Sequence, residues 1–377
     1  MEFLAPLAKY YHFLYLFVVT LMTINYSYMI NRYKGYGVLA HSYDYKPLFF
    51  FSVFFVLVYG LRPTIGVGAY FTDTGNYADS FELYKNYGVF NIYGAEDAGK
   101  DWLFFSVEFI FSQFADVHIW LASMTLLYVG LMYLGCKNID RRHGALLLLF
   151  CIGSFPFYPY AVNGVRNGVA CSIVILALSL LCRKKIFIAL ILSYMAVGCH
   201  KSTVLPIAMM FVTYYVSKPK YMIILWLSAL CISLGMGEYI ETSLSALSFD
   251  DRLATVLQND DADGVILEHR FRWDFLIYSS MPIILGLYTI FKRKLYNKTY
   301  LVLLGTYIYA NSFWILAIRA MFSNRIAYLS WFIYPIVLAY PLFNFPVFKH
   351  YHSRKTTMIL LAHLWVTILL WLFGSSN

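Results

Sequence analysis

VRNGVACSIVILALSLLCRKKIFIALILSYMAVGCHKSTVLPIAMMFVTYYVSKPK, residues 165–220, decides the fold. Three apolar runs, 165–182, 186–199 and 203–217, follow one another here. Only Arg183, Lys184 and Lys185 interrupt the first junction, and His200, Lys201 and Ser202 the second. A bilayer contains no water to satisfy backbone N–H and C=O groups, so each run must close its own hydrogen bonds as a helix. Working outward, similar runs stand at 12–30, 47–62, 118–135 and 145–161 on one side. On the other they stand at 221–237, 272–291, 299–317, 325–342 and 356–373. The expectation is an all-α polytopic helical membrane protein with about 12 transmembrane helices.

Composition supports this. Of 377 residues, 60% are hydrophobic and 13% charged, which excludes a water-soluble domain. No linker, low-complexity tract or internal repeat divides the chain, so one transmembrane domain over residues 1–377 is expected. The run 12–30 lacks a basic leader and a small-residue cleavage site, and Asn25, Tyr26 and Ser27 interrupt it, so it reads as a retained helix. The six cysteines (136, 151, 171, 182, 199 and 231) show no CxxC pairing, so neither a disulfide framework nor a metal site is expected.

The net charge of +9 does not mark a nucleic-acid partner, because the basic residues fall mostly in short loops. The loops 137–143, 183–185, 218–220, 292–298 and 349–355 are basic and share one side if the helices alternate, as the positive-inside rule requires. The opposite, outer side then receives a loop at 63–117 and a second at 238–271. The first carries a short apolar stretch, 102–114, read as an interfacial helix. Aromatics make up 20% of the chain and are read chiefly as interfacial belts.

An ionised side chain near hydrocarbon costs about 2.5 to 3.5 kcal/mol on insertion scales, so each needs a partner, a wet cavity or a task. On the outer side these groups collect: Arg62, Asp73, Arg166, His200, His269, Arg270, Arg272, Asp274, Arg319 and Arg325. Outer arginines at helix ends, against the usual bias, point to an anionic ligand. In helical register Asn163, Arg166, Asn167 and Ala170 share one face, presenting a guanidinium flanked by amides. Arg166 reads either as a snorkelling side chain on lipid phosphate or as a fork gripping a diphosphate bidentately. His200 reads either as structural or as a base for a hydroxyl proton near neutral pH. In LEHRFRWDF (267–275) the pairs Glu268 with Arg272 and Arg270 with Asp274 are spaced for ion pairing. The loop NDDADG (259–264) lacks the final bidentate Glu of a calcium loop and reads as a solvated acidic turn.

With these residues in hand, three segments carry a resemblance. YGLRPTIGVGAYFTDTGNYADSF (59–81), VNGVRNGVA (162–170) and GCHKSTVLP (198–206) are similar to motifs of the EpsG family of Wzy-like polysaccharide polymerases, relatives of O-antigen polymerases and ligases. Asn167 stands where that family's signature has Gln. The resemblance implies a GT-C-like bundle and a glycosyltransferase at the outer face of the bacterial cytoplasmic membrane. It would join polyprenyl-diphosphate-linked oligosaccharide repeat units into capsule, O-antigen or exopolysaccharide. Undecaprenyl-type carriers in the bilayer would supply donor and acceptor, a flippase and a chain-length regulator would be partners, and no cofactor is implied. His200, with Asp73 as the second candidate, would activate the acceptor. Arg166, aided by Arg62, Asn163, Asn167, Arg270, Arg272, Asp274 and Arg325, would bind diphosphate and glycan. Competing readings are a flippase for the same lipids, a membrane O-acyltransferase using His363, and a structural subunit.

Overall fold

In the computed structural model, which describes residues 2–68, 70–88, 101–246, 271–319 and 323–374, all regular secondary structure among those residues is helical. Among them, eight helices are long and apolar enough to cross a bilayer: Glu2–Arg32, Val117–Ile139, Val165–Cys182, Pro219–Gly237, Trp273–Lys292, Lys298–Leu316, Ser323–Asn344 and His352–Leu372. These coincide with expected runs, and the protein is an all-α polytopic membrane protein. The other four runs are shorter or broken. Lys46–Gly60 and Ile186–Cys199 are short apolar helices. Val204–Tyr215 has 12 residues, roughly 18 Å at 1.5 Å per residue against a hydrocarbon core of about 30 Å.

The chain divides into two compact units, Met1–Thr203 with Leu342–Asn377 and Val204–Pro341. The first opens with α1 (Ala8–Arg32), α2 (Lys46–Gly60), α3 (Thr74–Tyr87), α4 (Trp102–Ser112) and α5 (Val117–Ile139). It continues through α6 (Gly144–Ile152), α7 (Phe157–Val162), α8 (Val165–Cys182) and α9 (Ile186–Cys199). The second holds α10 (Val204–Tyr215), α11 (Pro219–Ala246, kinked at Met236), α12 (Trp273–Leu287), α13 (Lys298–Leu316) and α14 (Ser323–Trp331). Helix α15 (Tyr334–Asn344) carries the chain back to the first unit, which ends with α16 (His352–Gly374).

The expected run 145–161 is two helices because Pro156 has no amide to extend the ladder. In an apolar interior the freed carbonyls need donors. His363 Nε2 donates to Phe150 O at 2.9 Å, Thr367 Oγ1 to Gly153 O at 2.9 Å, and the Tyr15 hydroxyl to Ile152 O. Polar side chains of α16 and α1 thus make the break tolerable. Helix α8 is the buried axis of this unit, and α5 approaches it closely at Gly135, where a Cβ would stand 2.6 Å from Ile175 Cγ2. In the second unit α13 plays the same part. A Cβ on Gly305 would stand 2.3 Å from Thr213 Cγ2, and Asn311 accepts from Trp226 Nε1 at 3.0 Å while donating to Ser330 Oγ at 3.2 Å.

Asp140, just past α5, anchors the turn into α6. Its Oδ1 accepts from the amides of Arg142 (2.9 Å) and His143 (3.1 Å), and its Oδ2 from His143 Nδ1 (2.9 Å) and Asn344 Nδ2 (2.8 Å). Burial works to raise this carboxyl, but the bonds and charge of His143 and the Asn344 amide outweigh it and hold it down to about 2. A folded value below the unfolded 3.8 means the carboxylate stabilises the fold above 3.8, a contribution lost as pH falls through about 2. Asp140→Ala is therefore expected to cost on the order of 2 to 4 kcal/mol at pH 7. Thermal unfolding in detergent checks this, and the gap between wild type and variant should shrink from pH 5 towards pH 2.

Candidate functional site

The site begins with Arg62, beyond the last turn of α2. Helix ends leave carbonyls without partners, and this guanidinium supplies them. Nη1 donates to Tyr59 O at the end of α2 (2.8 Å), Nη2 to Val162 O at the end of α7 (2.9 Å), and Nε to Thr74 Oγ1 at the start of α3 (2.9 Å). The Thr74 hydroxyl itself donates to Val162 O at 3.0 Å. Arg62 is fully buried. Expected among the diphosphate ligands, Arg62 instead has its fork turned inward onto three helix ends, because Tyr59 O would otherwise be left unpaired and Val162 O would keep only the Thr74 hydroxyl.

That staple fixes the turn leading to Arg166. The expected shared face of Asn163, Arg166, Asn167 and Ala170 is interrupted, since Asn163 caps α7 and α8 begins at Val165 after the non-helical Gly164. Only Arg166, Asn167 and Ala170 keep the register. Gly168 lets α8 lie directly on α7: a Cβ there would meet Tyr160 O at 2.5 Å. Arg166 Nη1 donates to Asp101 Oδ2 at 3.0 Å, its guanidinium lies 5.4 Å from the Phe105 ring centroid, and it interacts with the Tyr77 hydroxyl. Asn167 Oδ1 accepts from the Cys171 thiol at 3.2 Å, while Asn163 Oδ1 is buried and meets no donor among the described residues.

Asp101 is the member of this cluster that sequence reasoning missed. It precedes α4 in a left-handed conformation (φ 56°) and is 5% exposed. Its Oδ2 accepts from both Arg166 and His200 Nδ1 (3.4 Å), and its Oδ1 from the Lys201 amide (2.9 Å). His200 caps α9, and Gly198 allows the approach: a Cβ there would stand 2.9 Å from the Trp102 ring and 3.0 Å from Leu103 Cβ. Burial tends to raise the Asp101 carboxyl, but His200, the Arg166 charge and the Lys201 amide hold it below its ordinary value of 3.8. Seven residues on, Glu108 is fully buried on the same helix. It accepts from the Ser80 hydroxyl through one oxygen, and the other meets no donor among the described residues. A carboxylate inside an apolar run was the available signal for Glu108.

Asp73 stands half-buried at the start of α3 without a capping bond, close enough to act electrostatically on Tyr77. In the second unit Arg272 pairs with Asp274 through Nε (3.0 Å) and Nη2 (2.7 Å), and stacks 3.8 Å over the Phe275 ring. Arg325 is exposed and acts on Tyr328, and the Arg319 guanidinium lies 5.4 Å from the Phe271 ring. Glu268, His269, Arg270 and the 259–264 turn lie outside the described residues.

A helical bundle in which an arginine and a histidine from separate helix ends meet on one buried carboxylate belongs to the class of polytopic membrane proteins with a polar site at helix termini. The chain belongs to the EpsG family, whose model matches residues 46–377, and this membership supports a membrane polysaccharide polymerase. No curated protein and no solved structure gives a match.

Arg62→Lys keeps the charge but cannot reach three acceptors in a fixed fork. It is expected to cost about 3 kcal/mol or more by stranding the buried Tyr59 carbonyl and loosening the hold on Val162 O, read as a lowered thermal midpoint in detergent. Lost activity at an unchanged midpoint would instead return Arg62 to ligand binding.

Proposed function

We propose that the protein joins polyprenyl-diphosphate-linked oligosaccharide repeat units at the outer face of the cytoplasmic membrane, moving the growing glycan from its lipid carrier onto a newly delivered unit. The observation that carries this reading is the meeting of Arg166 and His200 on the Asp101 carboxylate, which sets a fixed cation beside an imidazole. A diphosphate is already a weak base, so its departure needs charge neutralisation more than a proton. Arg166, with Asn163 and Asn167 beside it, supplies that neutralisation. The attacking sugar hydroxyl needs a base, and His200 is the first candidate, with Asp73 the second. Arg270, Arg272, Asp274 and Arg325 remain proposed substrate contacts of the second unit. The bilayer holds both lipid carriers, a flippase delivers them, and a chain-length regulator is a further proposed partner. No metal is invoked.

The acyltransferase alternative rested on His363, and its Nε2 is committed to the Phe150 carbonyl at the helix break. The flippase alternative calls for charge at mid-membrane, whereas Arg166 occupies the first turn of its helix.

Purified protein given lipid-linked repeat units is expected to produce a ladder of elongated glycans. Arg166→Ala and His200→Ala should each slow elongation by about 100-fold or more, read by gel electrophoresis of the products. Long chains from both variants at normal protein abundance would refute these roles, and translocation without elongation would favour the flippase.

A further inference from the structure

We propose that Asp101 is the positioning residue of this site, holding His200 with Nδ1 protonated and Nε2 free to accept a proton, and linking that imidazole to the occupancy of Arg166. The geometry carries the first part. An ionised carboxylate only accepts hydrogen bonds, so the 3.4 Å contact between Asp101 Oδ2 and His200 Nδ1 requires the proton on Nδ1, which leaves the Nε2 lone pair unprotonated in the neutral ring. The Lys201 amide, adjacent in sequence to His200, binds the other oxygen at 2.9 Å and so orients the carboxylate plane towards the imidazole. The contact is 99 residues distant in sequence, and Gly198 helps to permit it by letting the start of α4 rest on the end of α9.

The second part follows from Oδ2 being shared. Arg166 Nη1 and His200 Nδ1 both donate to that one oxygen. A diphosphate that engages the guanidinium therefore withdraws positive charge from the carboxylate and leaves more of its field for the imidazole. Anion binding at one residue thus prepares the base at the other.

The chemical step rests on the polymerase reading above. The acceptor oxygen forms a bond to the anomeric carbon as its proton passes to His200 Nε2. The bond from that carbon to the diphosphate oxygen breaks, and the electron pair leaves with the diphosphate, neutralised by Arg166. Asp101 stays ionised and stabilises the imidazolium until its proton returns to solvent.

Asp101→Asn tests the assignment. The carboxamide is nearly isosteric, but with its oxygen held by the Lys201 amide its NH2 faces Nδ1, donates to it and drives the ring proton to Nε2, where it blocks the base. Expected are a loss of about 100-fold or more in kcat, a KM for the lipid-diphosphate donor that is unchanged or lower, and partial recovery of kcat in Asp101→Glu. In protein labelled with 15N-histidine, with the resonance identified by its absence in His200→Ala, wild type should show the Nδ1-protonated form and Asp101→Asn the Nε2-protonated form. Retention of wild-type kcat in Asp101→Asn, or an Nε2-protonated His200 in wild type, overturns the proposal. If Asp101→Asn fails to fold, the wild-type 15N spectrum together with Asp101→Glu kinetics decides the matter. Wild type that elongates no lipid-linked glycan defeats the polymerase reading alone, since the 15N spectrum still decides the role of Asp101.

Discussion

A guanidinium buried in an apolar interior is tolerable only if its nitrogens find acceptors, and Arg62 meets that condition with one bond from each of its three nitrogens, serving three helix ends together. The dependence runs both ways. Tyr59 O and Val162 O stand at helix ends, where carbonyls lack intrahelical partners, so Tyr59 O depends on the arginine and Val162 O on the arginine together with Thr74. A lysine is a point charge on a flexible stem and could not hold two carbonyls and a hydroxyl in a fixed plane. Because one of the three contacts is Val162, four residues before Arg166, the staple also sets where the site's half-buried cation lies. Packing, electrostatics and function are joined at this one side chain.

The same accounting explains why irregular backbone survives elsewhere in the first unit. Between α6 and α7 the chain gives up helical hydrogen bonds, and Tyr15, His363 and Thr367 restore them from neighbouring helices. Each would read as a polar blemish in an apolar run if its own helix were considered alone. Glycines do complementary work where backbones must touch, at Gly135, Gly168 and Gly198. The bundle is therefore held by directional contacts at a few crossings as well as by apolar burial, and rigid placement of helix ends follows from that.

Long apolar runs were legible as helices because insertion into hydrocarbon depends on composition over about 20 residues. The run 145–161 passed the same test and failed as a single helix, since Pro156 and Gly153 act locally where averaged hydropathy is blind. Helix α3 falls within what the sequence reading takes only as the loop 63–117, although its signal is present: Thr74, Tyr77, Phe81 and Tyr84 recur at helical spacing and are buried, and Gly88 ends the helix in a left-handed turn (φ 61°). Charge at outer helix ends brought Arg166 and His200 to attention, and the motif resemblance then implied their roles, whereas Asp101, in a polar loop and 65 residues from Arg166, carried no periodic signal. Arg62 and Arg166 look alike in sequence, each at a helix end beside glycine. Only their surroundings separate a staple from a candidate ligand.

The pairing of Arg166 with Asp101 looks at first like an obstacle to anion binding, because the cation is already compensated. Its 19% side-chain exposure argues otherwise. An unpaired guanidinium this buried would bear a large desolvation penalty and would tend to snorkel towards water, losing its position. The carboxylate removes most of that penalty while occupying one edge of the fork, and Arg has five donors to distribute. A diphosphate offers several charged oxygens against the two of Asp101, so exchange favours the ligand without ever leaving the cation bare. A monoanionic headgroup offers less and gains less from displacing the carboxylate. Within the proposed reaction, the buried counter-ion thus works as a threshold that discriminates by charge, and the carboxylate it frees lies against the imidazole that would need it next.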